Sequence, residues 1–187
     1  MIGALILIPF FALLALLGLM KWSNSNTITR ITTSEKLAAL TFDDGPHPEE
    51  TEELLKLLEN KGVKATFFLL GKHVSAYPEI AAQITAQGHE IGNHSYFHRF
   101  MLGLRTEPML AELTQTNEII AAATGQTPRL FRPPYLVQGP GLRRAISRLG
   151  MQSVGTAIQW QTFRYQDWTL QKQPEKIVSI NEEMAQP

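Results

Sequence analysis

The chain has 187 residues, enough for one domain with a sizeable core. Its 17 Lys+Arg balance 17 Asp+Glu, which leaves no electrostatic footprint for nucleic acid. It contains no Cys, so disulfides and thiolate metal sites are excluded and any metal must sit on His, Asp or Glu.

Ile2 to Met20 carries no charged side chain and is dominated by Leu, Ile, Ala and Phe, a length that suits a transmembrane helix. Lys21 and Trp22 follow as interface-type residues. No basic stretch precedes the run and no clear small-residue cleavage site follows it. Residues 1–22 therefore read as an uncleaved anchor in preference to a removed signal peptide. Residues 23–35 are rich in Ser, Asn and Thr and read as a polar linker, which leaves 36–187 for the folded domain.

Strand-like and helix-like stretches then alternate. Leu37–Phe42 is an apolar, β-compatible run. Glu49–Asn60 carries Leu54, Leu55, Leu57 and Leu58 at helical spacing, and Gly62 is its stop signal. Val63–Leu70 reads as a buried strand, Pro78–Ala86 as a helix and Glu90–Asn93 as a short strand. Glu107–Ala123 is the longest helical pattern, ended by Gly125, and Leu130 with Phe131 makes a short strand. Leu142–Leu149 reads as a helix, Ser153–Ile158 as a strand and Pro174–Met184 as a final helix. This order predicts an α/β fold with a parallel sheet covered by helices.

Three motifs carry chemistry. Thr41-Phe42-Asp43-Asp44-Gly45-Pro46 closes the first strand. Neighbouring strand residues point to opposite faces, so two adjacent carboxylates share a site only where the chain turns, and Gly45-Pro46 supplies a turn. Two close carboxylates repel, and a metal on one of them relieves the conflict. His94-Ser95-Tyr96-Phe97-His98 places two imidazoles at i and i+4, which on a helical turn would let both reach one ion. A zincin helix would need Glu where Ser95 stands, so a general base must come from elsewhere. Phe131-Arg132-Pro133-Pro134-Tyr135 holds an Arg rigidly ahead of two prolines, able to pair with a carboxylate. Taken singly, each motif has a plainer alternative: a solvated turn, packing histidines, a loop after a strand.

Together and in this order, they resemble the first three motifs of the polysaccharide deacetylase (NodB-homology, carbohydrate esterase family 4) enzymes. Ala65-Thr66-Phe67-Phe68 and Gly88-His89-Glu90-Ile91-Gly92-Asn93 are also similar to that family, and the resemblance runs from about Lys36 to the C-terminus. It implies a distorted (β/α) barrel. It implies that Asp44, His94 and His98 hold a divalent metal, zinc first, with cobalt, manganese or nickel as alternatives. Asp43 would be the general base toward a metal-activated water, and Arg132 would hold and orient Asp43. The backbone N–H of Tyr135 would stabilise the oxyanion. Asp167-Trp168 resembles the family's Asp-Trp pair, in which Asp supports the Arg and Trp walls the acetyl pocket. The implied reaction is hydrolysis of N-acetyl groups on an acetylated amino-sugar polysaccharide, peptidoglycan or a chitin-like oligosaccharide.

The sequence departs from the family in two places. No Gly follows Tyr135, where Leu136-Val137 stands instead. The family also ends in a strand bearing Leu-x-His, whose His protonates the departing amine, and here no His follows His98. The expectation is a C-terminally truncated domain, weakly active or inactive as given. Two other readings follow: a saccharide-binding protein without catalysis, and an O-acetyl esterase of xylan type, whose leaving group needs less acid help. His47, His73 and His89 are expected on the surface, in loops or in packing. The chain is expected to be a monomer that meets the membrane through its N-terminal helix. The basic residues Lys21 and Arg30 favour a cytoplasmic domain, whereas the resemblance favours an extracytoplasmic one at the cell membrane.

Overall fold

Parallel strands cannot be joined by tight hairpins, so each connection between them must carry a longer crossover, usually a helix. The computed structural model, which describes residues 27–30, 37–156 and 176–178, follows that rule. Its strands are β1 (Thr27–Ile28), β2 (Leu37–Ala39), β3 (Thr41–Gly45), β4 (Thr66–Leu69), β5 (Glu90–Asn93), β6 (Leu130–Phe131), β7 (Gln152–Val154) and β8 (Lys176–Val178). The helices are α1 (Pro48–Lys61), α2 (Gly71–Ala76), α3 (Pro78–Ala86), α4 (Thr106–Thr124) and α5 (Pro140–Arg148), with a 3₁₀ turn at Pro134–Leu136.

Six strands form one parallel sheet in the order β1-β7-β6-β5-β4-β3, and β2 pairs with β8 in a second, two-stranded parallel sheet. From β3 to β7 each strand lies beside its successor in sequence, as in the (β/α) repeat of a barrel. Among the described residues no helix is long and apolar enough to cross a membrane. The run Ile2–Met20 lies outside the described residues.

Alternation along β4 separates two cores. Phe67 and Leu69 pack with Leu55 and Leu58 of α1, Ile84 of α3 and Ile120 of α4. Phe68 points the other way, to Leu130 and Val154. A third cluster joins Met109 and Leu113 of α4, Phe131 of β6 and Leu142 and Ile146 of α5. Gly92 lies opposite Phe68 in the β4–β5 register. A Cβ at Gly92 would sit 2.4 Å from the Phe68 ring, so only glycine lets that ring lie across β5.

The structure corrects several expectations. Leu37–Phe42 is broken at Leu40 into strands of two different sheets, because β2 finds its partner in β8 and β3 in β4. Thr27–Ile28, in the stretch read as linker, pairs with Ser153 and Val154 of β7. Lys176–Val178, read as part of a final helix, is a strand, since pairing with Leu37–Ala39 decides the conformation of a short stretch that ends in β-branched Ile177 and Val178. The helix α2 is an addition. The strand read as Ser153–Ile158 ends at Val154, with Ile158 outside the described residues.

Candidate metal centre

The three motifs converge at the C-terminal ends of the parallel strands β3, β5 and β6. Asp43 and Asp44 lie at the end of β3, His94 directly follows β5, and Arg132 directly follows β6. In parallel α/β folds this edge is where sites are built, because the loops there are free to vary while the sheet holds their ends.

Asp44 reaches the site through a bulge. The β3–β4 register shifts between Asp43 and Gly45, and Asp44 has φ +70°. The extra residue breaks the strict alternation of faces, so both carboxylates serve one locality. Asp tolerates the left-handed region better than most residues.

The His94–His98 segment is a loop, not the helical turn expected from its i, i+4 spacing. Ser95 at φ +71° and His98 at φ +57° fold it back. Each backbone N–H has an acceptor: His94 N–H on Leu69 O at 2.9 Å, Ser95 N–H on Asn93 Oδ1 at 2.7 Å, Tyr96 N–H on Glu112 Oε1 at 3.2 Å, Phe97 N–H on the same oxygen at 3.4 Å, and His98 N–H on Ser95 Oγ at 3.1 Å. Buried Asn93 also donates to Leu113 O and to Asn117 Oδ1. Such accounting is what holds an irregular loop in one conformation.

Asp44 Oδ1 lies 3.6 Å from His94 Nε2 and 3.5 Å from His98 Nε2. One ligand atom from each of the three residues falls within 4.8 Å of the others. His94 Nδ1 lies 2.7 Å from the Arg132 carbonyl, so it donates there and leaves Nε2 with its lone pair toward Asp44. Burial pushes the His94 imidazole below its ordinary pKa, against the opposing pull of Asp43, the Arg132 carbonyl and Asp44. Two imidazoles plus one carboxylate, with no thiolate, make a donor set that fits zinc or a similar divalent ion and leaves positions for water and substrate.

Asp43 has a different partner. Arg132 Nη1 lies 2.7 Å from Asp43 Oδ1 and 2.8 Å from Thr41 Oγ1, and Nη2 donates to Gly155 O at 2.9 Å. The buried guanidinium stacks over Phe68 at 4.1 Å. Its Nε is buried without a partner among the described residues. Tyr135, at φ +58° after the two prolines, sets its exposed ring 4.7 Å from the His98 ring, and Phe100 flanks it at 5.9 Å.

Of the residues singled out in the sequence, Asp43, Asp44, His94, His98, Arg132 and Tyr135 are brought together, while Asp167 and Trp168 lie outside the described residues. Asn93, Glu112 and His73 were not singled out for a role at the site. Asn93 lay inside a family-like stretch, but nothing in the local pattern of Glu112 or His73 marks them.

A family model described as polysaccharide deacetylase matches residues 30–154. The peptidoglycan-N-acetylmuramic acid deacetylase PdaC of Bacillus subtilis is 41% identical over 102 residues, 54% of this chain and 22% of that protein. A chitin deacetylase of Pestalotiopsis sp is 33% identical over 147 residues, 77% of this chain and 49% of that protein. Among solved structures, a family 4 carbohydrate esterase from Streptomyces lividans in complex with acetate superposes with a TM-score of 0.62 at 37% identity, covering 64% of this chain and 62% of that one. The chain thus spans from about a fifth to about six-tenths of the length of the curated relatives it matches.

Proposed function

The chain belongs to the polysaccharide deacetylase family, and from that premise we propose that it hydrolyses N-acetyl groups on an amino-sugar polysaccharide, peptidoglycan or a chitin-like oligosaccharide, as a metal-dependent enzyme. One observation carries this reading: a His₂Asp donor set lies beside a second carboxylate gripped by a buried arginine. The names of the relatives, which act on peptidoglycan or chitin, supply the substrate class.

Asp44, His94 and His98 would hold the ion, zinc by preference with cobalt, manganese or nickel as alternatives. When bound, such an ion supplies Lewis acidity to water and to the acetyl carbonyl. Asp43 is the general base: a carboxylate oxygen accepts a proton from the attacking water while Arg132, which also donates to Thr41 Oγ1, fixes its orientation. The water oxygen bonds to the acetyl carbon, the carbon–nitrogen bond breaks, acetate leaves and the nitrogen takes up a proton. The backbone N–H of Tyr135 stabilises the oxyanion, a contribution worth about 3 kcal/mol of barrier for one such donor. By the family resemblance Asp167 would support Arg132, whose Nε has no partner among the described residues, and Trp168 would wall the acetyl pocket.

Residues 1–22 would anchor the protein in the cell membrane, and the domain would work as a monomer on the outer side, where a cell-wall polymer is found. The test is acetate release from N-acetylated chitooligosaccharide and from peptidoglycan, with metal added. The expected result is release that falls by about 10²–10⁴-fold in Asp43→Asn while metal stays bound. Equal release from Asp43→Asn would sink the hydrolase reading, and no release from the metal-loaded chain on either polymer would put the saccharide-binding reading in its place.

A further inference from the structure

The bulge at Asp44 takes its carbonyl out of the β3–β4 ladder, since the register passes from Asp43 to Gly45. That carbonyl meets His73, in the first turn of α2, whose Nδ1 lies 2.6 Å from Asp44 O. A carbonyl only accepts, so Nδ1 carries the hydrogen and donates. The same short segment touches both halves of the metal centre. Leu70 N–H donates to Gly45 O at 2.9 Å, Gly71 N–H to Ser95 O at 3.0 Å, and Lys72 N–H to Tyr96 O at 3.2 Å. The fit is close: a Cβ on Gly71 would lie 2.5 Å from the Tyr96 ring.

We propose that His73 is a positioning residue of the metal centre: its Nδ1–H fixes the left-handed backbone of Asp44 and so keeps the Asp44 carboxylate facing His94 and His98. The backbone donors of Leu70, Gly71 and Lys72 set the two ligand loops against α2, and His73 is the side chain of that segment which closes on Asp44 itself. It acts through Asp44 and touches neither substrate nor reacting atoms. The inference rests on the metal-centre reading above and adds a residue that none of the three motifs contains.

The experiment is titration of the full, metal-stripped chain with Co²⁺, followed by visible absorption, together with far-ultraviolet dichroism of each variant. His73→Ala should weaken Co²⁺ binding by about 10–100-fold, the range for loss of a group that orients a ligand, and alter the absorption band. His73→Asn, whose amide still donates, should bind as the unaltered chain does. If His73→Ala does not fold, His73→Leu compared with His73→Asn gives the same split between a side chain without a donor and one with it. Equal binding by the unaltered chain and the donor-less variants overturns the proposal, as does equal weakening in folded His73→Leu and His73→Asn. Failure of the unaltered chain to bind Co²⁺ overturns the metal-centre reading itself, and this inference with it.

Discussion

Asp43 and Asp44 are neighbours in sequence with different partners. Asp43 is matched by a buried guanidinium, and Asp44 faces two imidazoles. The repulsion expected from adjacent carboxylates is thereby divided between a fixed cation and a donor set suited to a mobile one. His89, by contrast, serves packing. Its Nδ1 accepts from Ala65 N–H at 3.3 Å and its ring lies 5.4 Å from Phe67, which requires the neutral form. Burial, and then Lys64, pushes its pKa below the ordinary value. The unfolded chain takes up that proton below about pH 6.5, while the folded chain resists it to lower pH, so stability falls as pH falls through that window. The urea midpoint of the metal-free protein should therefore drop between about pH 7.5 and about pH 5.5, and drop less in His89→Leu. Identical midpoints at both pH values would contradict this. At this scale the motif residues were legible because their chemistry is local. His73 was not, because its partner is a carbonyl 29 residues away, exposed only by a bulge.

At the scale of elements, sequence signals held where a segment carries its own start and stop. Helix α1 has Pro48 at its start, Glu49 and Glu50 in its first turn, and Gly62 at φ +65° closing it on Leu58 O and Glu59 O. Strands β1 and β8 escaped, and β2 reads in the sequence as one strand with β3, because two or three residues have no period and a partner far along the chain decides them. The loop after β5 escaped for a related reason: i, i+4 spacing suits a helix, but Asn93 and Glu112 capture its backbone donors instead. Packing between elements is close where β4 and β5 cross the buried Phe68, itself under the Arg132 guanidinium. Gly92→Ala should therefore cost about 1–3 kcal/mol in urea unfolding, as overpacking of a core does, and should lower activity with it through Arg132. A loss below about 0.5 kcal/mol, the range of ordinary surface changes, would show that Phe68 moves aside freely.

Across the whole molecule, a parallel sheet delivers its functional groups to one edge. Five consecutive strand ends, β3 to β7, supply Asp43 and Asp44, the turn before His73, His94, Arg132 and the Gly155 carbonyl that receives Arg132. The order of motifs in the chain is therefore the order of ligands around the site, which is why three short motifs identify it. The α/β class was legible from alternation alone. The division into two sheets was not, because it depends on a pairing between Leu37–Ala39 and Lys176–Val178 across most of the chain. The measurement that bears most directly on the central claim is zinc X-ray absorption of the zinc-loaded full chain. The metal-centre reading predicts one zinc with two imidazoles in a nitrogen/oxygen shell at about 2.0–2.1 Å, and loss of one imidazole in His98→Ala. A chain that retains no zinc, or a shell without imidazole, would contradict it.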